Sequence, residues 1–392
     1  MIDRPGRPSH APPTSARALA PATFAPGLAR RGPGHDTGAV ILAGSHYWGS
    51  GTFERLLRGP LLSVAQQPLL SYPLRWLRAG GVRTATVCAG RATDAVRAHF
   101  GAASVPELTL GYYVDAQPRG PAGCARDAAL ATDAQRFVLV EGALVPGLDL
   151  RTLVDEHCRS GAAATTVVEI DRRRPSVGGE RHALPGGIYV FERRVLEAVP
   201  AAGFQDIKQG LLERLYTDGE RVLVHEVAGV SPRILDFATY AAVSSWLITT
   251  ALDRPDQYDG WYVMGDGCYH PTARVHPSAR LFGPVLVGPG ARVDADAVLV
   301  GPLSLGAGTV VEAGAAVTRS VLWDRCHVGR EATVDAALLV DDSVIAPRAH
   351  VRGTVVADGA ARDRAPRAHS FPPLSGLLDG PVLAPATALR GA

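Results

Sequence analysis

The sequence predicts two ordered units in series, an α/β domain with a mostly parallel sheet followed by a hexapeptide-repeat β-helix. Two patterns carry this. Short aliphatic runs alternate with helical patterns over roughly two hundred residues, and apolar residues then recur every six positions through the last third of the chain. The composition agrees: 392 residues, 46% apolar and 20% charged, are enough for two or three globular domains and exclude disorder throughout.

Residues 1–36 are rich in Pro, Ala and Arg, lack an apolar core of signal-peptide length, and read as a disordered arm. The α/β unit spans 37–255. It opens with Ala39-Val40-Ile41-Leu42-Ala43-Gly44, an aliphatic run ending in small residues, as a buried parallel strand does on entering a loop. Leu69 to Ala79 places Leu69, Leu70, Leu74, Trp76 and Leu77 on one helical face. Gly80-Gly81 stops that helix, and Val82 to Ala89 follows as a strand. Ala92 to Phe100 and Ala122 to Ala131 read as helices, Phe137 to Val140 as a central strand, and Leu150 to His157 as the next helix. In such sheets ligands sit at the carboxyl ends of the strands. Chemistry is therefore expected in the loops after Ala43 and Val140 and around Gly120.

Residues 256–272, with Tyr258, Trp261, Tyr262 and Tyr269 among glycines, read as a linker whose aromatics seal the junction of the two units. Tyr240 and Trp246 are expected in the core between them. From 273 to 358, Val275, Leu281, Val287, Val293, Leu299, Leu305, Val311 and Val317 recur at intervals of six. A five-residue step leads to Leu322, Val328 and Val334, and another to Leu339, Ile345 and Val351. A period of six fits neither a helix nor an amphipathic strand. In a β-helix each six residues supply one short strand and one corner, and the recurring aliphatics stack as core. Residues 359–392, rich in Arg, Pro and Ala, read as a disordered tail.

Forty basic against thirty-eight acidic residues give a net charge of +2, too balanced to make nucleic acid or an anionic membrane the main partner. Of the forty, Lys208 is the one lysine and the other thirty-nine are Arg, so a mechanism needing two lysines is excluded. The five cysteines form no CxxC pair and no Cys/His cluster with zinc spacing, and no apolar run reaches membrane-spanning length. A reduced, cytoplasmic protein is expected.

Ala39 to about Ile248 resembles the sugar-1-phosphate nucleotidyltransferases, and the two-unit architecture is similar to their mannose-1-phosphate guanylyltransferase and glucose-1-phosphate adenylyltransferase branch. The matching segments are Val40-Ile41-Leu42-Ala43-Gly44, Pro60 to Leu70, Gly120-Pro121-Ala122-Gly123-Cys124-Ala125 against the family's G-T-A-G-A, Phe137 to Leu144, and Gly187-Ile188-Tyr189-Val190-Phe191 against G-I-Y-x-F. The resemblance implies a Rossmann-like nucleotidyltransferase domain and a left-handed β-helix. It also implies a reaction in which a sugar phosphate oxygen attacks the α-phosphorus of a nucleoside triphosphate and pyrophosphate leaves. Glycine-rich amides, Arg, lysines and Mg²⁺ on two aspartates neutralise the phosphates. Leu42, Ala43, Gly44, Gly120, Pro121, Ala122, Gly123 and Gly142 are the nucleotide-binding positions carried over.

The chemistry positions depart from this pattern. The P-K-P lysine falls on Gly59. Ser45-His46-Tyr47-Trp48-Gly49 covers the G-x-G-T-R loop, and a gapped alternative moves Gly49-Ser50-Gly51-Thr52 there with Phe53 at the arginine. Tyr47 and Trp48 could stack on a base or plug the phosphate site. The first metal aspartate is Ala143. The second, counted back from Tyr240, is Arg233. The E-K-P lysine has no counterpart in Asp171-Arg172-Arg173-Arg174-Pro175, and Lys208 belongs to a later helix. No catalytic or metal residue is therefore assigned, and a pseudoenzyme is expected. Its implied role is to assemble as a homo-oligomer, or with an active paralogue as a hetero-oligomer, and to sense nucleotide or nucleotide-sugar. Two alternatives remain. An active enzyme would hold a displaced Mg²⁺ on Glu141 and Asp236, with Arg55, Arg58 and Arg172 to Arg174 on the phosphates. A hexapeptide acyltransferase would use His270, His276, His327 or His350.

Overall fold

The computed structural model describes residues 36–44, 59–102, 105–114, 119–170, 183–227, 231–253 and 257–357. The proposed arm and tail lie outside these residues, apart from Asp36.

The first unit is built on β1 (Thr37–Leu42), β4 (Thr84–Cys88), β5 (Thr109–Tyr113), β6 (Arg136–Glu141), β7 (Ala164–Ile170), β8 (Ala183–Glu192) and β9 (Val222–Val227), with a small hairpin of β2 (Ser63–Val64) and β3 (Gln67–Pro68) beside it. Its helices are α1 (Ser71–Ala79), α2 (Thr93–Phe100), α3 (Gly120–Leu130), α4 (Leu150–Ser160), α5 (Arg193–Glu197), α6 (Glu213–Thr217) and α7 (Phe237–Ala251), and a π-helical turn covers Ile207–Leu212. The expected elements are present, with ends shifted by one to three residues. The sheet order is β5-β4-β1-β6-β8-β7-β9, and β8 alone runs against its neighbours. It is a mostly parallel sheet.

Strand periodicity of two distributes the side chains between two cores. Ala39 and Ile41 of β1 and Val138 and Val140 of β6 face Leu74 and Leu77 of α1 and Leu153 of α4. Val40, Leu42, Phe137 and Leu139 face the other way, onto Ala122, Ala125, Ala128 and Ala129 of α3. The run of alanines lets α3 lie close on the sheet. Asp149 caps α4 by accepting from the amides of Arg151 and Thr152, each at 3.3 Å, and Gly161 ends it in the left-handed region.

The second unit is a three-sided β-helix. Successive strands on one face end at Tyr269, Val287, Leu305, Leu322, Leu339 and Val356, each in register with the next. Val275, Val293, Val311, Val328 and Ile345 stack on the second face, and Leu281, Leu299, Val317, Val334 and Val351 on the third. The hexad aliphatics are the core, as their period requires. Both five-residue steps fall at the corner between the third and first faces. There the shortened turn holds Arg319 at φ 45° and Ala336 at φ 48°.

The span expected to be a plain linker carries structure of its own. β10 (Tyr262–Met264) and β11 (Gly267–Tyr269) form a hairpin, and β11 pairs in parallel with Val285–Val287 as the start of the first face. Antiparallel pairing lets the chain enter the β-helix without leaving the backbone of its first strand bare. Tyr262 stacks on Tyr269 with centroids 5.5 Å apart, and Tyr258 lies 5.2 Å from Trp261. The two units share a core of Leu62, Val64, Tyr72 and Tyr240 with Leu286, Trp323 and Leu338, and Trp246 packs at its edge. No helix among the described residues is long and apolar enough to cross a membrane.

Candidate functional site

The carboxyl ends of β1, β4 and β6 meet in one cleft. The Ala43 amide donates to the Cys88 carbonyl at 2.9 Å and the Gly142 amide to the Leu42 carbonyl at 3.0 Å, which sets Leu42-Ala43-Gly44 between the ends of β4 and β6. Leu42, Ala43, Gly44, Gly59, Pro60, Leu69, Gly142 and Ala143 line the cleft together. Gly59 and Ala143, on which the resemblance places a lysine and an aspartate, thus line one cleft. The segments Ser45 to Arg58, including Tyr47, Trp48, Phe53, Arg55 and Arg58, and Asp171 to Pro175, lie outside the described residues.

Ala143 and Arg233, on which the resemblance places two metal aspartates, are also adjacent. The Ile234 amide donates to the Ala143 carbonyl and the Val145 amide to the Pro232 carbonyl, both at 3.0 Å, so a short antiparallel bridge brackets Leu144 and Arg233. Ala143 is buried with only a methyl to offer. The Arg233 guanidinium turns onto β6 and β8: its Nη2 lies 3.0 Å from Glu141 Oε2 and donates to the Pro185 carbonyl at 3.3 Å. Gly187 makes the pair fit. It has φ +70°, and a Cβ there would sit 2.4 Å from Arg233 Nη2 and 2.8 Å from Glu141 Cδ. The positive φ favours glycine here, and a larger residue would also push the two side-chain ends aside.

Glu169 on β7 feels the Arg233 charge without a direct ion pair to it, and reading the sequence did not single it out. Burial pushes its carboxyl above the ordinary range, while the Arg233 charge and a hydrogen bond from the Ser231 amide pull it back. Its Oε1 is buried without a hydrogen-bond partner among the described residues, as is Arg233 Nε. The available signal was a lone acid in the apolar strand Thr165-Thr166-Val167-Val168-Glu169-Ile170.

Glu141 and Asp236 each have another engagement, Glu141 with Arg233. Asp236 is the N-cap of α7, accepting from the Thr239 amide and hydroxyl at 2.8 Å in a capping box. Among the described residues no cluster of three His, Cys, Asp or Glu is arranged to hold a metal ion. A methyl and a guanidinium at the ligand positions, and a carboxylate already ion-paired, do not fit Mg²⁺, which needs oxygen donors in octahedral array.

Gly120 to Gly123 form the first turn of α3, with Pro121 at its start. The Gln205 segment lies over this end: the Ala122 amide donates to the Gln205 carbonyl at 3.0 Å and the Gln205 amide to the Arg119 carbonyl at 2.7 Å. Gly120 permits the approach, since a Cβ would stand 2.5 Å from the Gln205 oxygen. The Ala122 amide, one of the nucleotide-binding positions carried over, therefore has a protein acceptor here. Lys208 lies in the π-helical turn, whose first amides are capped by Asp206.

In the β-helix, the Nδ1 atoms of His270 and His276 lie 2.8 and 2.9 Å from the hydroxyls of Thr272 and Ser278 at successive corners. His327 Nε2 lies 2.9 Å from Glu312 Oε1, and His350 is exposed. These are corner and ladder contacts.

Comparison with known proteins follows the two units. A nucleotidyl transferase family model matches residues 39–179, and a GlmU-like C-terminal hexapeptide model matches residues 292–361. The chain is 25% identical over 281 residues to a mannose-1-phosphate guanylyltransferase of Mycobacterium tuberculosis, covering 65% of this chain and 76% of that protein. A solved structure of a candidate glucose-1-phosphate thymidylyltransferase from Bacillus anthracis, in complex with a sucrose, is similar at a TM-score of 0.46 and 16% identity. That similarity covers 53% of this chain and 94% of the other.

Proposed function

Since the chain is a homologue of the sugar-1-phosphate nucleotidyltransferases, we propose that it is a catalytically degraded member of that family, acting as a cytoplasmic, non-catalytic subunit in nucleotide-sugar synthesis. One observation carries the reading: the adjacent positions Ala143 and Arg233, where the family places its metal aspartates, present a methyl and a guanidinium engaged with Glu141.

The chemistry explains why these changes matter. Attack on an α-phosphorus builds charge on the phosphate oxygens and on the departing pyrophosphate, and such enzymes work by holding cations against that charge. Ala143 has no lone pair with which to hold one. Arg233 repels a divalent ion from the neighbouring position, and Gly59 contributes no ammonium group. Loss of a single stabilising donor typically costs about 10²–10³ in rate, so several losses together place turnover out of reach, although such effects are not additive. The framework persists where the chemistry does not. Leu42 to Gly44, Gly142, and the α3 turn from Gly120 to Gly123 keep the small residues on which the nucleotide or nucleotide-sugar affinity of this reading rests.

The test is a nucleotidyl-transfer assay with Mg²⁺ and a panel of nucleoside triphosphates and sugar 1-phosphates. No turnover is expected with any pair. Turnover that Glu141→Ala abolishes would overturn the reading in favour of an active enzyme with a displaced metal site. The subunit role is tested by pull-down followed by native mass measurement, which should recover this chain with a catalytic nucleotidyltransferase or with copies of itself. A monomer without partners would count against it.

A further inference from the structure

We infer that a second copy of this chain docks on the first coil of the β-helix, with β10 of one copy paired antiparallel to β10 of the other about a two-fold axis at Val263. The contact does not depend on the catalytic reading above, and it gives the homo-oligomer of that reading its surface.

The β-helix begins without a cap, among the described residues, on two of its three faces. Val275 and Leu281, first in their stacks, are only half-buried, whereas Val293 and Leu299 directly after them are buried. A hollow of about 850 Å³ opens beside them, with Tyr262, Met264 and Pro277 among its walls. A solenoid coil whose apolar side lacks a neighbour needs a cap. The third face does carry one, the β10–β11 hairpin, but β10 is itself the edge of its sheet. Its residues Tyr262, Val263 and Met264 are 46%, 41% and 63% exposed, with no charge and no proline to discourage pairing.

Hairpin geometry fixes what this edge offers. The turn Gly265-Asp266 has two residues, with Gly265 at φ +58°, so Met264 and Gly267 exchange hydrogen bonds as a pair, and Tyr262 and Tyr269 do likewise. Val263 lies between them, opposite Cys268 in a pair without hydrogen bonds. Its N–H and C=O therefore point away from β11, along the β-helix axis and out of the open end. The next outward amide, that of Trp261, donates to the Tyr258 carbonyl at 3.2 Å. One donor and one acceptor on a single residue are what an antiparallel self-pair uses. Across a two-fold axis the Val263 N–H of each copy meets the Val263 carbonyl of its mate, and both bonds close.

The surroundings suit a copy of the same chain. In this register Tyr262 of one copy stands opposite Met264 of the other, on the side of β10 that lines the hollow, so the two hollows share an apolar wall. On the rim Arg274 and Arg292 are matched by Asp266 and Asp294. A rim with both signs can meet itself with unlike charges facing, and it has no excess to draw a nucleic acid or a strongly acidic partner.

The test is sedimentation and native mass measurement of the full-length chain over a concentration series, which should show a dimer. Two variants aim at the contact and spare the hairpin. Val263→Pro removes the outward donor and keeps the bonds of β10 to β11, and Met264→Lys places a charge on the edge. Each should raise the dissociation constant about tenfold or more. Amide exchange at Val263 should be slower in the wild-type dimer than in Met264→Lys. Thermal unfolding shows whether each variant folds, and if Val263→Pro does not, Met264→Lys carries the test. A wild-type monomer would overturn the inference and leave the hollow to the chain's own residues 1–35 or 359–392, or to another protein. A dimer that either folded variant leaves intact would overturn it too, by placing the contact elsewhere. A dimer weakened by these variants in a protein that shows turnover would sink the pseudoenzyme reading and leave this one standing. An inactive monomer recovered with a catalytic nucleotidyltransferase would do the reverse.

Discussion

Three residues set the character of the cleft. Ala143 removes a ligand, Arg233 brings a charge of the opposite sign, and Gly187 leaves space for the ion pair that Arg233 forms with Glu141. The last is the most exposed to test, because its backbone lies in the left-handed region. Gly187→Ala should cost about 1–3 kcal/mol from the left-handed backbone, the Arg233 and Glu141 side-chain ends beside it being able to shift. Denaturant unfolding measures it, and a variant as stable as wild type would mean the Gly187 backbone is not strained for an L residue. The identities at 143 and 233 were legible by counting along the chain. The pairing of Arg233 with Glu141 was not, because it joins segments far apart in sequence through strand pairing.

At the scale of elements, the two units meet through the β2–β3 hairpin, α7 and one edge of the β-helix. The Tyr240 hydroxyl donates to the Ser63 carbonyl and accepts from Trp323 Nε1, both at 2.8 Å. The Tyr258 hydroxyl donates to the Ala65 carbonyl at 2.9 Å, and Gln66 Nε2 donates to the Ser304 hydroxyl at 2.6 Å. Tyr240→Phe leaves Trp323 Nε1 and the Ser63 carbonyl buried without that hydroxyl, so a loss of roughly 1–3 kcal/mol is expected. If the junction couples the units, differential scanning calorimetry should show one transition in wild type and a broadened or split one in the variant. An unchanged single transition would place the junction's strength in its apolar core alone. The aromatic content of this junction was readable from the sequence, but the hairpin at 262–269 was not. Its glycines and aromatics suit a linker equally well until a β-helix edge is present to receive β11.

At the scale of the whole molecule, one histidine is buried among the described residues, and its charge state bears on stability. His157 of α4 is buried, with Nδ1 2.7 Å from the Thr165 hydroxyl on β7 and Nε2 3.0 Å from Glu192 Oε1 on β8. Burial holds its pKa below the ordinary 6.5, against the opposing pull of Glu192. The unfolded chain therefore binds that proton more readily than the folded one. This contribution is fully present above pH 6.5 and is lost as pH falls through the lower folded value. Thermal stability should decline from pH 7 towards pH 5, and His157→Gln should flatten that part of the profile. Equal slopes in the two proteins would remove His157 as a cause.

What the sequence determined by itself was the architecture and the residues at the chemistry positions. Period two in the aliphatic strands, period six in the repeats, and a count from Leu42 to Gly59 are local properties that survive without coordinates. Tertiary structure decided which of the remaining charges meet. Glu141 and Asp236 looked equally available along the chain, yet Asp236 caps α7 and Glu141 faces Arg233. Helix capping is satisfied within three residues of sequence, whereas an ion pair across β6, β8 and a returning segment depends on sheet order, which no local pattern encodes.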